Sequence, residues 1–132
     1  MILAIRTDKP EAELRLIENG KEIDSYSWQA HRELADTILK KIDQILVKNQ
    51  ASIKSLEGII IFTGNGSFTG LRIGTTVANS LSYGLDIPIA SAEGEEWVEQ
   101  GVQNLKSTKI GEYVIPKYNA EPNITQPKSS SA

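Results

Sequence analysis

The chain has 132 residues, enough for one domain that buries about two thirds of its unfolded surface. Its formal charge of −3 and pI near 5.2 argue against a free-standing nucleic-acid-binding protein, which usually carries a basic face. With no cysteine and one histidine, it offers neither disulfides nor thiolate metal sites. It lacks a basic leader and any apolar run near the roughly 20 residues that span a bilayer, so we expect a cytoplasmic protein without membrane contact.

The first third of the chain predicts three antiparallel strands. Residues 2–7 form an apolar run without alternation, which is typical of a strand buried on both faces near the centre of a sheet. A second strand, 12–17, ends at Asn19-Gly20, a pair that favours a tight hairpin turn with two positive φ angles. The return strand covers 21–28, so the chain opens as a meander.

The remaining elements alternate between helix and strand. The helical period predicts helices over 31–48, 71–84 and 93–106, with strands over 58–63 and 87–90 between them. The order β-β-β-α-β-α-β-α gives an α/β fold with a mixed five-stranded sheet. This is a single ribonuclease-H-like layer, the half-unit of actin-like ATPases. We expect one domain over 1–106, followed by a segment 107–132 that is partly docked and then disordered.

A glycine-rich stretch, 64–74, lies between the most apolar strand and the second helix. Gly66, Ser67 and Thr69 are candidate phosphate contacts at the start of that helix, and Arg72 could add a bidentate donor. The alternative is that these residues cap the helix and turn the loop. The stretch has neither the lysine of a P-loop nor the spacing of a dinucleotide-binding turn.

Four small residues stand four apart along one face of the second helix. They are Gly70, Gly74, Ala78 and Ser82. Because no large side chain projects from such a strip, another backbone can approach it closely. The strip therefore marks a candidate contact surface.

We predict no catalytic residue and no metal ligand. A nuclease of this architecture needs an acid near the middle of the first strand, where this chain has Ile5, Arg6 and Thr7. Arg6 also brings positive charge to a place where phosphotransfer needs a metal-bridging carboxylate. His31 has no recognisable nucleophile, and we expect it to contact a partner or to make a hydrogen bond at the start of the first helix.

The glycine-rich stretch closely resembles the Gly-Pro-Gly-Ser-Phe-Thr-Gly-Leu-Arg-Ile-Gly signature of the TsaB family, proteins of bacterial tRNA threonylcarbamoyladenosine biosynthesis, and differs from it only at Asn65. The opening Ile2-Leu3-Ala4-Ile5 is similar to that family's first strand, although Arg6 replaces its usual aspartate. Ala30-His31 is similar to the start of its first long helix. The resemblance covers residues 1–91 well, and most of the family's second domain has no counterpart here.

The resemblance implies a non-catalytic subunit. Proteins of this family pair with a TsaD-like catalytic subunit through the first two helices, and a TsaE-like ATPase joins the complex. On this reading the partner interface comprises His31, Leu34, Ile38, Gly70, Arg72, Gly74, Ala78 and Ser82. The chain would contact tRNA only indirectly and hold no cofactor of its own, and binding of ATP or ADP at a subunit interface stays open. Two other hypotheses stay open: a nucleotide-binding or hydrolysing protein that uses the loop, and a self-associating homodimer.

Overall fold

The computed structural model describes residues 1–66 and 68–115, apart from the side chain of Phe68. Five strands form one mixed sheet in the order β3-β2-β1-β4-β5. They are β1 (Ile2–Arg6), β2 (Glu11–Glu18), β3 (Lys21–Gln29), β4 (Gly58–Phe62) and β5 (Ile89–Ala92). β1 is central, antiparallel to β2 and parallel to β4. The predicted meander, the parallel crossovers and the α/β class are therefore confirmed.

The hairpin between β2 and β3 has the predicted turn and one feature that the pattern did not reveal. Asn19 and Gly20 have φ angles of 53° and 79°, as a tight two-residue turn requires. The register then shifts, because Leu16 lies opposite Asp24 whereas Ile17 lies opposite Glu22. This bulge leaves one extra residue in β3, so its side chains do not alternate strictly between the two faces of the sheet at this point.

Three helices cover the sheet. They are α1 (Leu34–Lys48), preceded by a 3₁₀ turn at His31–Glu33, α2 (Phe68–Leu85) and α3 (Trp97–Leu105). α2 begins earlier than predicted, inside the glycine-rich stretch 64–74. α3 begins later, because residues 93–96 form a turn in which Gly94 has a φ of 90°. β5 starts only after Pro88, which lacks the N–H that a ladder needs.

Two apolar layers lie on opposite faces of the sheet. Leu3, Ile5 and Leu14 face α1 and α2 in the larger layer, which is made of aliphatic side chains. The smaller layer, beneath α3, contains Ile60 and Phe62, and the ring of Trp97 meets Phe62 edge-on at 5.7 Å. These layers hold α2 and α3 on opposite faces of the sheet. The loop that follows β4 lies at the carboxyl edge of the parallel strands β1, β4 and β5.

Residues 107–115 leave α3 and reach the flank of α2. The side-chain amide of Asn79 donates to the carbonyl of Val114 at 2.9 Å and accepts from its N–H at 2.9 Å. The predicted disorder at the end of the chain concerns residues 116–132, which lie outside the described part. Within the described ranges, no helix has the length and apolar character needed to cross a membrane.

Candidate functional site

The loop between β4 and α2, which we call the glycine loop, packs directly on the connection between β1 and β2. A Cβ at Gly66 would overlap Asp8, including its carbonyl oxygen at 2.7 Å. Gly66 therefore allows backbone to approach backbone at the carboxyl edge of the sheet. Asn65, in the same loop, is exposed.

Arg6 and Asp8 form an ion pair beside this loop. The Nε of Arg6 donates to Oδ1 of Asp8 at 2.8 Å and its Nη2 donates to Oδ2 at 3.2 Å. The guanidinium also lies 3.9 Å from the centre of the Phe62 ring. The Asp8 side chain is only 5% exposed, so the one acid near the end of β1 is already neutralised by Arg6.

Thr7 ties β1 to the first turn of α2. Its hydroxyl donates to the carbonyl of Gly70 at 2.7 Å. The polar groups of Thr7 and Asp8, at the end of β1, thus bind neighbours in the same chain. Within 1–66 and 68–115, no group of three or more histidine, aspartate or glutamate side chains could hold a metal ion.

The structure describes two of the three candidate phosphate contacts, Gly66 and Thr69. Gly66 is half-buried against Asp8, and Thr69 is exposed in the first turn of α2. Ser67 lies outside the described residues. The structure brings Gly66 and Thr69 to the start of α2, as the sequence suggests, and the phosphate role remains a prediction.

The small-residue strip faces the sheet of its own chain, so its prediction as a partner surface is wrong. A Cβ at Gly74 would overlap the Thr7 side chain. Ala78 is fully buried, and the buried Ser82 hydroxyl donates to the carbonyl of Ile87 at 2.5 Å. Gly70 is half-buried and holds Thr7 through its carbonyl. The close approach that the strip permits is that of β1 to α2.

The prediction that Leu34 and Ile38 contact a partner is wrong for the same reason. Both are buried among the aliphatic side chains between α1 and the sheet. His31 and Arg72 are exposed, as an interface requires. The backbone N–H of His31 donates to the carbonyl of Pro10 at 3.2 Å, and its φ is 45°.

The surface that α1 and α2 leave open to a partner is a groove between the two helices. Its volume is about 370 Å³, and it is lined by Ala35, Thr69, Arg72, Ile73, Thr76 and Val77. We call it the α1–α2 groove. Leu39 lies one helical turn after Ala35 and is 54% exposed. Sequence reasoning missed Ala35, Ile73, Thr76 and Val77, although the helical spacing of four residues from Arg72 could have indicated Thr76.

Comparison with known proteins gives consistent matches. The family model of TsaD, tRNA N6-adenosine threonylcarbamoyltransferase, matches residues 28–94. The tRNA threonylcarbamoyladenosine biosynthesis protein TsaB of Bacillus subtilis is 30% identical over 95 residues, covering 72% of this chain and 42% of that protein. TsaB of Escherichia coli is 26% identical over 132 residues, covering 92% of this chain and 56% of its own length.

A solved structure agrees in fold. YeaZ from Pseudomonas aeruginosa superposes with a TM-score of 0.65 at 24% identity, covering 76% of this chain and 49% of that one. The chain thus spans about half the length of the relatives that it matches. Since the family model covers half of the chain, the chain belongs to the family described by the TsaD model, and within it is related to the TsaB (YeaZ) proteins.

Proposed function

We propose that this chain is a non-catalytic subunit of the tRNA threonylcarbamoyladenosine machinery that binds a TsaD-like catalytic subunit. The observation that carries the proposal is the exposed α1–α2 groove. Ala35, Ile73 and Val77 give it an apolar lining, and Thr69, Arg72 and Thr76 give it a polar rim. An apolar centre with a polar rim suits a helix of a partner protein.

The carboxyl edge of the sheet supports the non-catalytic part of the proposal. Arg6 stands where a catalytic carboxylate is needed, and Asp8 is held by Arg6 at 2.8 Å. General acid–base or metal chemistry requires a group that can reach the substrate. A buried carboxylate that is paired within its own chain does not meet that requirement. In this proposal a TsaE-like ATPase and tRNA join through the catalytic subunit.

Co-purification with the TsaD-like subunit of the same organism tests the proposal. Thr76→Arg and Ala35→Arg place a long charged side chain in the groove at exposed positions, so the fold should tolerate them. We expect each variant to weaken the complex by about tenfold or more, as loss of a central interface contact does. Ser27→Arg, exposed on the far face of the sheet, is the matched control.

Four outcomes decide the question. The proposal stands if the wild type and Ser27→Arg bind and both groove variants do not, with unchanged thermal unfolding of all four proteins. It fails if the groove variants bind like the wild type, or if the wild type does not bind at all. Threonylcarbamoyl transfer by the chain alone would contradict the non-catalytic role.

A further inference from the structure

Half of one sheet face has little helical cover. α3 packs mainly on β5 and β4, and the part of the same face formed by β2 and β3 extends beyond it. The register places Arg15 opposite Ser25 and Ile17 opposite Glu22 on this face. Between this part of the sheet and α3 lies an open cleft of about 510 Å³, which we call the β2–α3 cleft.

The bulge in β3 shapes the sheet side of the cleft. Without the extra residue at Ile23, Glu22 would lie on the α1 side together with Asp24. With it, Glu22 accepts a hydrogen bond from Arg15 at 3.1 Å, and Glu13 accepts one from the same guanidinium at 2.6 Å. The cation on this wall is therefore already balanced by two carboxylates.

The charge of Arg15 is stable in this setting. Partial burial lowers the pKa of its guanidinium, but the hydrogen bonds and the Coulombic attraction of Glu13 and Glu22 outweigh burial and raise the pKa above its usual value. Arg15 thus remains a cation committed to its own chain, 5.7 Å from the centre of the Trp97 ring.

The wall opposite the sheet, formed by α3 and the turn before it, is acidic above an apolar floor. Glu95, Glu96 and Glu99 line it, all three are exposed, and within the described residues none has an ion-pair partner. Lys106 is the cation that α3 and its end contribute to the lining. The floor is formed by the half-buried side chains of Val98 and Val102, and Ile17 lies buried beneath them.

We propose that the β2–α3 cleft binds a segment of a partner protein that carries lysine or arginine side chains. The aliphatic stems of such side chains would pack on Val98 and Val102 while their charged ends meet the carboxylates of Glu95, Glu96 and Glu99. Nucleic acid is excluded by the same carboxylates, since its phosphates would be repelled. The cleft lies on the opposite face of the sheet from the α1–α2 groove, so the two sites can be occupied together.

Fluorescence anisotropy of a labelled peptide of alternating lysine and leucine, titrated with the full chain, tests the inference. The triple variant Glu95→Gln, Glu96→Gln, Glu99→Gln should weaken binding about tenfold, the sum of three exposed charge contacts. The triple variant Glu33→Gln, Asp36→Asn, Asp43→Asn removes the same charge from α1 and its preceding turn. It should stay within about twofold of the wild type.

The location of binding is read from amide NMR shifts, which should change in Ile17, Val98 and Val102. The proposal is overturned if the α1 variant weakens binding as much as the Glu95, Glu96, Glu99 variant does. It is also overturned if a glutamate–leucine peptide binds as tightly as the lysine–leucine peptide, or if the NMR shifts change outside the cleft. Tighter binding of spermidine would assign the cleft to a small polyamine instead. Self-association that the Glu95, Glu96, Glu99 variant abolishes would assign it to a second copy of the chain. Either result also overturns the proposal.

Discussion

Thr7 and Gly74 are in direct contact, and this contact fixes how closely α2 lies on β1. The Thr7 hydroxyl donates to the carbonyl of Gly70 at 2.7 Å, while a Cβ at Gly74 would overlap the same hydroxyl and lie 3.0 Å from the methyl carbon. Thr7 is 1% exposed and is held in place from both sides. The most distinctive sequence stretch of the chain therefore meets the end of β1 through two glycines of α2.

Gly74→Ala should destabilise the chain. The added methyl group has no room unless Thr7 or the helix moves, and overpacking of this kind costs about 1 to 3 kcal/mol. Urea unfolding followed by circular dichroism measures the change. Gly84→Ala in the same helix is the control, because a Cβ there meets nothing within 4 Å. It should be neutral or stabilising by up to about 1 kcal/mol. Equal stability of the wild type and Gly74→Ala would contradict this packing.

Arg6→Leu should destabilise the chain by about 3 kcal/mol, because it leaves the buried Asp8 carboxylate without its counter-ion. Adding Asp8→Asn should restore part of the loss, since a neutral amide is less costly to bury than an unpaired carboxylate. Urea unfolding of the wild type, both single variants and the double variant gives the coupling. Lys9→Gln, at an exposed neighbour, should change stability by less than about 0.5 kcal/mol. Additive losses at positions 6 and 8 would argue against the pair.

The hydrogen bonds of Asp24, a residue of β3 near the hairpin turn, predict that the stability of the fold depends on pH. The hydrogen bond from Asn49 at 2.8 Å is the main cause that lowers the pKa of Asp24, with help from the Ser25 N–H and Lys48 and against the effect of burial. Because the pKa of Asp24 is lower in the folded state, its ionised carboxylate stabilises the fold at pH values above the unfolded pKa of about 4. This stabilisation is lost as the pH falls through the pKa of the folded state.

Asp24→Asn should therefore be less stable than the wild type at pH 7, by a small margin because surface charge contacts are weak. The difference should shrink below about pH 4. Thermal unfolding at several pH values measures it. Asp43→Asn, exposed on α1, is the matched control and should follow the wild type throughout. A difference between Asp24→Asn and the wild type that grows in acid would reverse the inferred sign.

The order of elements could be predicted because its signals are local. Asn19-Gly20 fixes the hairpin through two positive φ angles. The apolar residues of α1 recur every three or four positions, a period that is typical of a helix and not of a loop. The partner surface could not be predicted in the same way. Strips of small residues indicate that a backbone comes close, but not whose backbone. Gly74 meets Thr7 of the same chain, which lies far away in sequence.

The β2–α3 cleft escaped prediction for a related reason. Alternation along β3 assigns Glu22 to the α1 side, and only the register shift after Leu16 brings it to Arg15. A bulge is set by pairing with a neighbouring strand, so one strand's pattern does not reveal it. The late start of α3 depends likewise on Gly94, whose positive φ interrupts an otherwise helical composition.

Asn79→Ala should release residues 107–115 from α2. The variant loses both hydrogen bonds to Val114, each worth about 1 kcal/mol, so local opening should rise by roughly tenfold or more. Trypsin cleavage after Lys109 and hydrogen exchange of the Val114 amide report this opening. Asn79→Asp keeps the acceptor and loses the donor, and should be intermediate. Ser80→Ala, exposed on the same helix, is the control. If cleavage and exchange in Asn79→Ala match those in Ser80→Ala, the amide does not hold this segment.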